Sequence, residues 1–236
     1  MAQSMPWSTG LSKEGMSLVD AEAALGGNLR YLDLSALARA TRVDEPFPHA
    51  IVPGFLLPAG RSALAADFPA IREPGSFPVG DLEFGPCFRE FLAELEGPGF
   101  RVTIERAFDI DLTARPTMVT VRGHARPRDG RIHNDSRTKL ITVLVYLNEA
   151  WEADGGRLRL LRSPDSLDDV VAEVPPQAGT LLAFRVTDNS WHGHLPVTGP
   201  RRVVQLNWVE SAAVVRRERA RHGLSARVKR LASLLR

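Results

Sequence analysis

The sequence predicts a mainly β fold with flanking α-helices, a double-sheet antiparallel barrel of jelly-roll type set on an N-terminal helical buttress. Three observations predict it. Six short β-favouring runs separated by Gly/Pro turns occupy residues 117–209. Helix-favouring segments precede them, segregated rather than alternating, which argues against a doubly wound or (β/α)-barrel chain. The chain has 236 residues, 44% hydrophobic and 25% charged, enough to bury one core without disulfides or structural zinc.

The elements follow in order. Ala21–Leu25 and Leu32–Ala40 read as short helices broken by Gly26-Gly27. Pro46–Pro58 reads as a strand entering a turn, and Ala59–Phe68 as a helix with apolar spacing at Leu64 and Phe68. The Gly/Pro-rich stretch Pro69–Gly85 reads as a surface connection. Cys87–Leu95 reads as a second helix, with Phe88, Phe91, Leu92 and Leu95 on one face and Gly97-Pro98-Gly99 as its stop. After Phe100 the character changes to strands: Thr117–Arg122 ended by Gly123, then Lys139–Asn148, Arg157–Leu161, Asp168–Val174, Thr180–Val186 and Arg202–Val209. Lys139–Asn148 is β-branched and apolar nearly throughout, as in a strand covered on both faces. The organisation expected is a helical extension over residues 1–45, a barrel domain over 46–210 and a helical tail over 211–236.

Composition narrows the function classes. A single cysteine, Cys87, excludes an internal disulfide framework and any multi-cysteine zinc site. No apolar run reaches the roughly 18 residues of a membrane span, and the N-terminus lacks the basic-then-apolar pattern of a signal peptide. A cytoplasmic location is the expectation. From Arg216 to Arg236 eight Arg or Lys face one Glu, which leaves the rest of the chain about five units negative against a net charge of +2. In that tail Leu224, Val228, Leu231 and Leu235 recur at helical spacing. Such a basic amphipathic stripe packs on its own domain or across a homodimer contact, or else lies on an anionic membrane surface. Few aromatics interleave its charges, which speaks against nucleic acid as a partner.

The chemistry is carried by histidines and a carboxylate. In extended chain, residues two apart point to one face, so His133 and Asp135 can converge on one metal ion. The Trp191-His192-Gly193-His194 segment offers a third ligand, with His192 and His194 sharing a face. Two His and one carboxylate leave three positions open, the pattern of non-haem Fe(II) oxygenases. A carboxylate cosubstrate on that ion needs a cation, and Arg201 or Arg202 follows on the next strand with a planar fork suited to it. On the strand from Lys139, Thr142, Leu144 and Tyr146 share a face, which places the Tyr146 hydroxyl toward the same carboxylate. Arg122 and His124, on the strand before the metal motif, together with His194 and Asn207, are candidate substrate contacts.

These pieces, in order, resemble one family. They are His133-Asn-Asp135, Thr142-Val-Leu-Val-Tyr-Leu-Asn148 with Trp151, Gly155-Gly156-Arg-Leu-Arg-Leu, Gly179-Thr-Leu-Leu-Ala-Phe184, Ser190-Trp-His192 with Pro196, and Arg202 followed by Trp208. Together they resemble the Fe(II)- and 2-oxoglutarate-dependent oxygenases of the prolyl-hydroxylase-like, bacterial type. The resemblance spans about Thr117–Val209 and implies a double-stranded β-helix (jelly-roll, cupin-like) core. It implies Fe(II) held by His133, Asp135 and His192, the distal carboxylate of 2-oxoglutarate on Arg202 with Tyr146, and Thr142 lining the same pocket. It implies use of O2, with ascorbate a helpful additive, and hydroxylation of an unactivated C–H bond as 2-oxoglutarate becomes succinate. A prolyl or other protein residue, a small metabolite and a glycan are the substrate classes left open. The competing readings are a catalytically silent barrel serving as a scaffold and a zinc-using cupin-like enzyme. The latter needs further His or Glu ligands, which Ser136-Arg137-Thr138 does not supply.

Overall fold

The structure, a computed structural model, describes residues 29–218 and residue 220. The expected helix at Ala21–Leu25 and most of the basic tail lie outside the described residues. Among the described residues four α-helices lie before residue 117. They are α1 (Leu34–Arg39), α2 (Pro58–Asp67), α3 (Pro86–Leu95) and α4 (Pro98–Phe108). Asp33 caps α1 by accepting from the amide of Ala36 at 2.8 Å. The other three each open on proline, whose fixed φ and missing N–H suit a first helical position.

That rule corrects the reading of Gly97-Pro98-Gly99. It ends α3, but Pro98 also starts α4, where strands were expected. The face of α4 formed by Phe100, Ile104, Ala107 and Phe108 is buried, and its i, i+4, i+7, i+8 spacing overrides the β-branched Val102, Thr103 and Ile104. The turn closes at Asp109 in the left-handed region (φ 48°). α3 buries Phe88, Phe91, Leu92 and Leu95. Each phenylalanine so buried contributes about 2–3 kcal/mol. Glu94 of α3 accepts the amides of Arg30, Tyr31 and Leu32 at 2.7–3.1 Å, which fastens the segment before α1 to the helical layer.

The strands are β1 (His49–Val52), β2 (Phe77–Pro78), β3 (Thr117–Ala125), β4 (Lys139–Tyr146), β5 (Leu158–Leu161), β6 (Val170–Val174), β7 (Leu181–Arg185), β8 (His192–Gly193) and β9 (Gly199–Val209). They form a six-stranded sheet in the order β1-β7-β4-β9-β3-β2 and a three-stranded sheet in the order β6-β5-β8. The named pairings are all antiparallel. The Pro69–Gly85 connection is therefore more than a surface link: Phe77–Pro78 pairs with β3 and ends the large sheet. The proline sits there because an edge strand can forgo one donor.

Period-two alternation divides the large sheet's residues between two cores. Val143, Val145, Val204, Leu206 and Trp208 pack with α1–α4. Leu144, Tyr146, Leu182, Phe184 and Val203 face Leu158, Leu160 and Val174 of the small sheet. This is the double-stranded β-helix, with one sheet backed by helices and the barrel interior open at the end where β3, β4 and β9 present polar side chains. Among the described residues no helix is long and apolar enough to cross a membrane.

Candidate active site

That open end is a cavity of about 630 Å³, within the usual size of a ligand site. Its walls include His133, Asp135 and His192, whose ligand atoms all lie within 4.8 Å of one another. Backbone pairing produces the convergence. The His133 amide donates to the His192 carbonyl and the His192 amide to the His133 carbonyl, both at 3.0 Å, which sets the rings 4.3 Å apart. Asn134, the residue between His133 and Asp135, points the other way. It accepts from Ser190 Oγ at 2.5 Å and donates to the Thr187 carbonyl at 2.8 Å, fixing the motif to the segment that enters β8.

Each imidazole is oriented by a carbonyl two residues upstream. His133 Nδ1 donates to Arg131 at 2.9 Å and His192 Nδ1 donates to Ser190 at 2.8 Å. A carbonyl only accepts, so both rings carry the proton on Nδ1 and leave the Nε2 lone pair for a metal. Burial, joined by the like charge His133 would carry, lowers the His192 pKa to about 4, so this ring is neutral at physiological pH.

Asp135 is held at both oxygens. Lys139 Nζ donates to Oδ1 at 2.7 Å and Thr142 Oγ1 donates to Oδ2 at 2.6 Å. Burial alone would raise this carboxyl, but the Lys139 charge and these hydrogen bonds hold it at about 2. The chain of donors continues behind it. Asn207 Nδ2 donates to Thr142 Oγ1 at 2.8 Å, and Gln205 Nε2 donates to Asn207 Oδ1 at 3.1 Å. Thr142 thus lines the cavity, while its hydroxyl is spent on the aspartate. Asn207 orients Thr142. Lys139 and Asn134 were not singled out from the sequence; Lys139 lies four residues beyond Asp135, at the start of β4.

The two neighbouring arginines go to opposite faces of β9, which corrects the expectation for Arg202. Arg202 shares its phase with Val204, Leu206 and Trp208 on the helix side. Its guanidinium lies 5.1 Å over the Phe68 ring and donates to the Ala65 carbonyl at 3.3 Å. Arg201 shares its phase with Gln205 and Asn207 and lines the cavity. It donates Nε to the Gly156 carbonyl at 2.9 Å and lies 5.5 Å over the Tyr146 ring. Gly156 adopts φ +79°, a conformation that only glycine takes without strain. Tyr146 is fully buried beneath Arg201, and its hydroxyl meets no protein partner. Burial raises its pKa, against the pull of the Arg201 charge. An orphaned phenol beside a guanidinium with free N–H groups fits a carboxylate that accepts from both.

The remaining candidates divide. His194 lines the cavity but stands outside the three-residue metal group, its Nδ1 donating to the Leu195 carbonyl at 2.8 Å. Burial and the Arg201 charge lower its pKa to about 4, so it too is neutral. A Cβ at Gly130 would collide with this histidine, so glycine is needed there. Arg122 lines the cavity. His124 does not. A bulge between Arg122 and His124 breaks the alternation of β3, and the His124 ring meets the Ile71 carbonyl at 3.3 Å, away from the site. The tail is not wholly peripheral either. Its first helical turns, residues 212–218, bring Val214, Arg217 and Glu218 onto the cavity wall.

Residues 121–210 match the model of the 2OG-Fe(II) oxygenase superfamily. A search of curated proteins returned no match. Among solved structures, a prolyl-4-hydroxylase from Pseudomonas putida is similar, with 21% identity and a TM-score of 0.52 over 75% of this chain and 89% of that one. A prolyl 4-hydroxylase from Phytophthora capsici has 17% identity and a TM-score of 0.48 over 70% of this chain and 59% of that one. A prolyl hydroxylase from Trichoplax adhaerens, in complex with a hypoxia inducible factor peptide fragment, has 17% identity and a TM-score of 0.45 over 68% of this chain and 83% of that one. The Pseudomonas likeness is one of fold. The matched segment, residues 121–210, holds the convergent His-Asp-His set and most of the barrel strands, and it is this segment that is similar to the 2OG-Fe(II) oxygenase superfamily. The match and the site geometry support an enzyme of the 2-oxoglutarate-dependent Fe(II) dioxygenase type.

Proposed function

We propose that His133, Asp135 and His192 hold Fe(II), and that Arg201 with Tyr146 takes the distal carboxylate of 2-oxoglutarate. The observation that carries this is the donor set. Two Nε2 lone pairs and one carboxylate converge within 4.8 Å, and among the described residues no further His, Cys, Asp or Glu joins them. That count leaves room for a bidentate cosubstrate and O2, and it disfavours the closed four-ligand sites of structural zinc. When bound, Fe(II) with 2-oxoglutarate supplies the reaction R–H + O2 + 2-oxoglutarate → R–OH + succinate + CO2.

The chain's own residues do the positioning. The Arg131 and Ser190 carbonyls fix the tautomer and tilt of the imidazoles. Lys139 and Thr142 keep Asp135 ionised and fix its rotation. Arg201 is itself held by Gly156 and by the Tyr146 ring, so little side-chain entropy is lost when it receives a carboxylate. Leu144, Leu158 and Val203 line the inner wall and exclude water from the reacting end.

Anaerobic titration of metal-free protein with Fe(II) and then 2-oxoglutarate tests the assignment. The weak visible charge-transfer band of the chelate is expected, with its loss on admitting O2. Folded protein that binds Fe(II) yet gives no band overturns it.

Thr142 provides a finer check. Thr142→Val keeps the shape but removes the hydroxyl between Asn207 and Asp135. Fe(II) affinity is expected to fall by about 10- to 100-fold, the usual effect of losing a group that orients a metal ligand. A metal titration with an unchanged midpoint would remove Thr142 from that role.

A further inference from the structure

The charges lining the cavity do not balance once their contacts are counted. Asp129 accepts from Arg126 Nε at 2.9 Å and from its amide at 3.1 Å. Asp135 is engaged by Lys139 and Thr142. At the rim Glu218 stands 3.9 Å from Arg217. Arg201 rests on Gly156 and Tyr146. Arg122 is the exception. It lines the same cavity, partly buried, and its guanidinium makes no hydrogen bond and no ion pair among the described residues.

Its place follows from the sheet register. On β3, Met118, Thr120 and Arg122 face the cavity, while Val119 and Val121 enter the helical core. Arg122 pairs with Val203 of β9, so Arg201, two residues along the same face, is its diagonal neighbour. Two guanidiniums side by side repel one another. Burial, and then the Arg201 charge, lower the Arg122 pKa against the more distant pull of the Asp129 and Asp135 carboxylates, neither of which forms an ion pair with it. A single carboxylate on Arg201 and Tyr146 leaves the Arg122 fork still unmatched. A guanidinium kept partly desolvated and without a hydrogen-bonded partner, in the same cavity as His133, Asp135 and His192, is suited to an anion that arrives with the substrate.

We infer that Arg122 anchors an oxyanion of the substrate, so that the molecule hydroxylated bears a carboxylate or phosphate group close to its reacting C–H bond. The inference rests on the proposed assignment of Arg201 to 2-oxoglutarate and goes beyond it by naming a substrate class. It favours an acidic small metabolite or an acidic glycan over a neutral prolyl segment.

The test uses protein loaded with Mn(II) and 2-oxoglutarate, with inorganic phosphate and acetate as probes. The paramagnetic ion will speed 31P relaxation of phosphate, or 1H relaxation of acetate, bound in the cavity. In Arg122→Gln the affinity read this way is expected to fall by about tenfold or more, with the Fe(II)·2-oxoglutarate band still titrating at its wild-type midpoint. Phosphate and acetate as separate arms show whether a tetrahedral or a planar anion is preferred. Equal relaxation in wild type and variant means that the probes reach the metal directly, and overturns the inference. A weakened chelate band in Arg122→Gln also overturns it, because Arg122 would then serve 2-oxoglutarate. Absence of the band in the wild type defeats the assignment of the site itself, and so separates the two failures. Should the glutamine variant not fold, Arg122→Lys is read by the same two signals. It keeps the charge but loses the fork, and unchanged relaxation there overturns the inference.

Discussion

Arg201→Ala will raise the 2-oxoglutarate dissociation constant by about tenfold or more, the loss of a charge-assisted pair contributing about 1.5–3 kcal/mol. Arg202→Ala will leave it within about twofold. The contrast follows from strand phase. Arg201 shares the cavity face of β9 with Gln205 and Asn207, and its guanidinium is set over Tyr146. Arg202 points into the helical layer, against Phe68 and the Ala65 carbonyl. Its removal costs about 0.5–1 kcal/mol of stability through that cation–ring contact. Anaerobic titration of the charge-transfer band in both variants, with thermal melts alongside, separates the two effects. A large binding loss in Arg202→Ala with none in Arg201→Ala would reverse the assignment. Tyr146→Phe should follow Arg201→Ala with a smaller loss, since it removes one neutral hydrogen bond and leaves the ring beneath the guanidinium in place.

The phase of β9 explains why the two arginines were hard to tell apart from sequence. Near them the strand reads Arg201-Arg202-Val203-Val204, and two adjacent valines carry no alternation. The signal lies further on. Gln205 and Asn207 are polar and share parity with Arg201, whereas Leu206 and Trp208 are apolar and share parity with Arg202. A polar face on a strand covered on both sides belongs to a site, and that rule selects Arg201. The convergence of His133 and Asp135 was legible for the same reason: His-x-Asp spacing survives in any extended segment.

What was not legible depended on long-range contacts. α4 carries three β-branched or apolar residues in a row and became helical because its other face is buried under Trp208 and its neighbours. β8 is two residues long, too short for any pattern, and exists because it pairs with β5 and lies against His133. His124 followed the alternation of β3 on paper, and the bulge after Arg122 removed it from the site. The ion pair of Lys139 with Asp135 spans four residues that leave a loop and begin a strand, so its closure was set by the fold rather than by local spacing.

Asp135→Ala will abolish tight Fe(II) binding, with a loss of affinity of more than about a hundredfold, beyond the usual effect of a residue that only orients a ligand. Two causes act together. The variant removes one of three donor groups, and it leaves Lys139 without the carboxylate it contacts at 2.7 Å. The ammonium, itself mostly buried, then faces a site that must accept a divalent cation, and its repulsion adds to the missing ligand. The same stranded charge lowers the stability of the metal-free protein. Adding Lys139→Met to Asp135→Ala separates the causes. The double variant should recover thermal stability, because the unpaired charge is gone, while Fe(II) binding stays lost, because two imidazoles alone hold the ion poorly. Calorimetric titration with Fe(II) under nitrogen, beside melting curves of the metal-free forms, reads both quantities. Wild-type affinity in Asp135→Ala would place the metal elsewhere. Recovery of affinity in the double variant would show that Asp135 acts by neutralising Lys139 rather than by coordinating the ion.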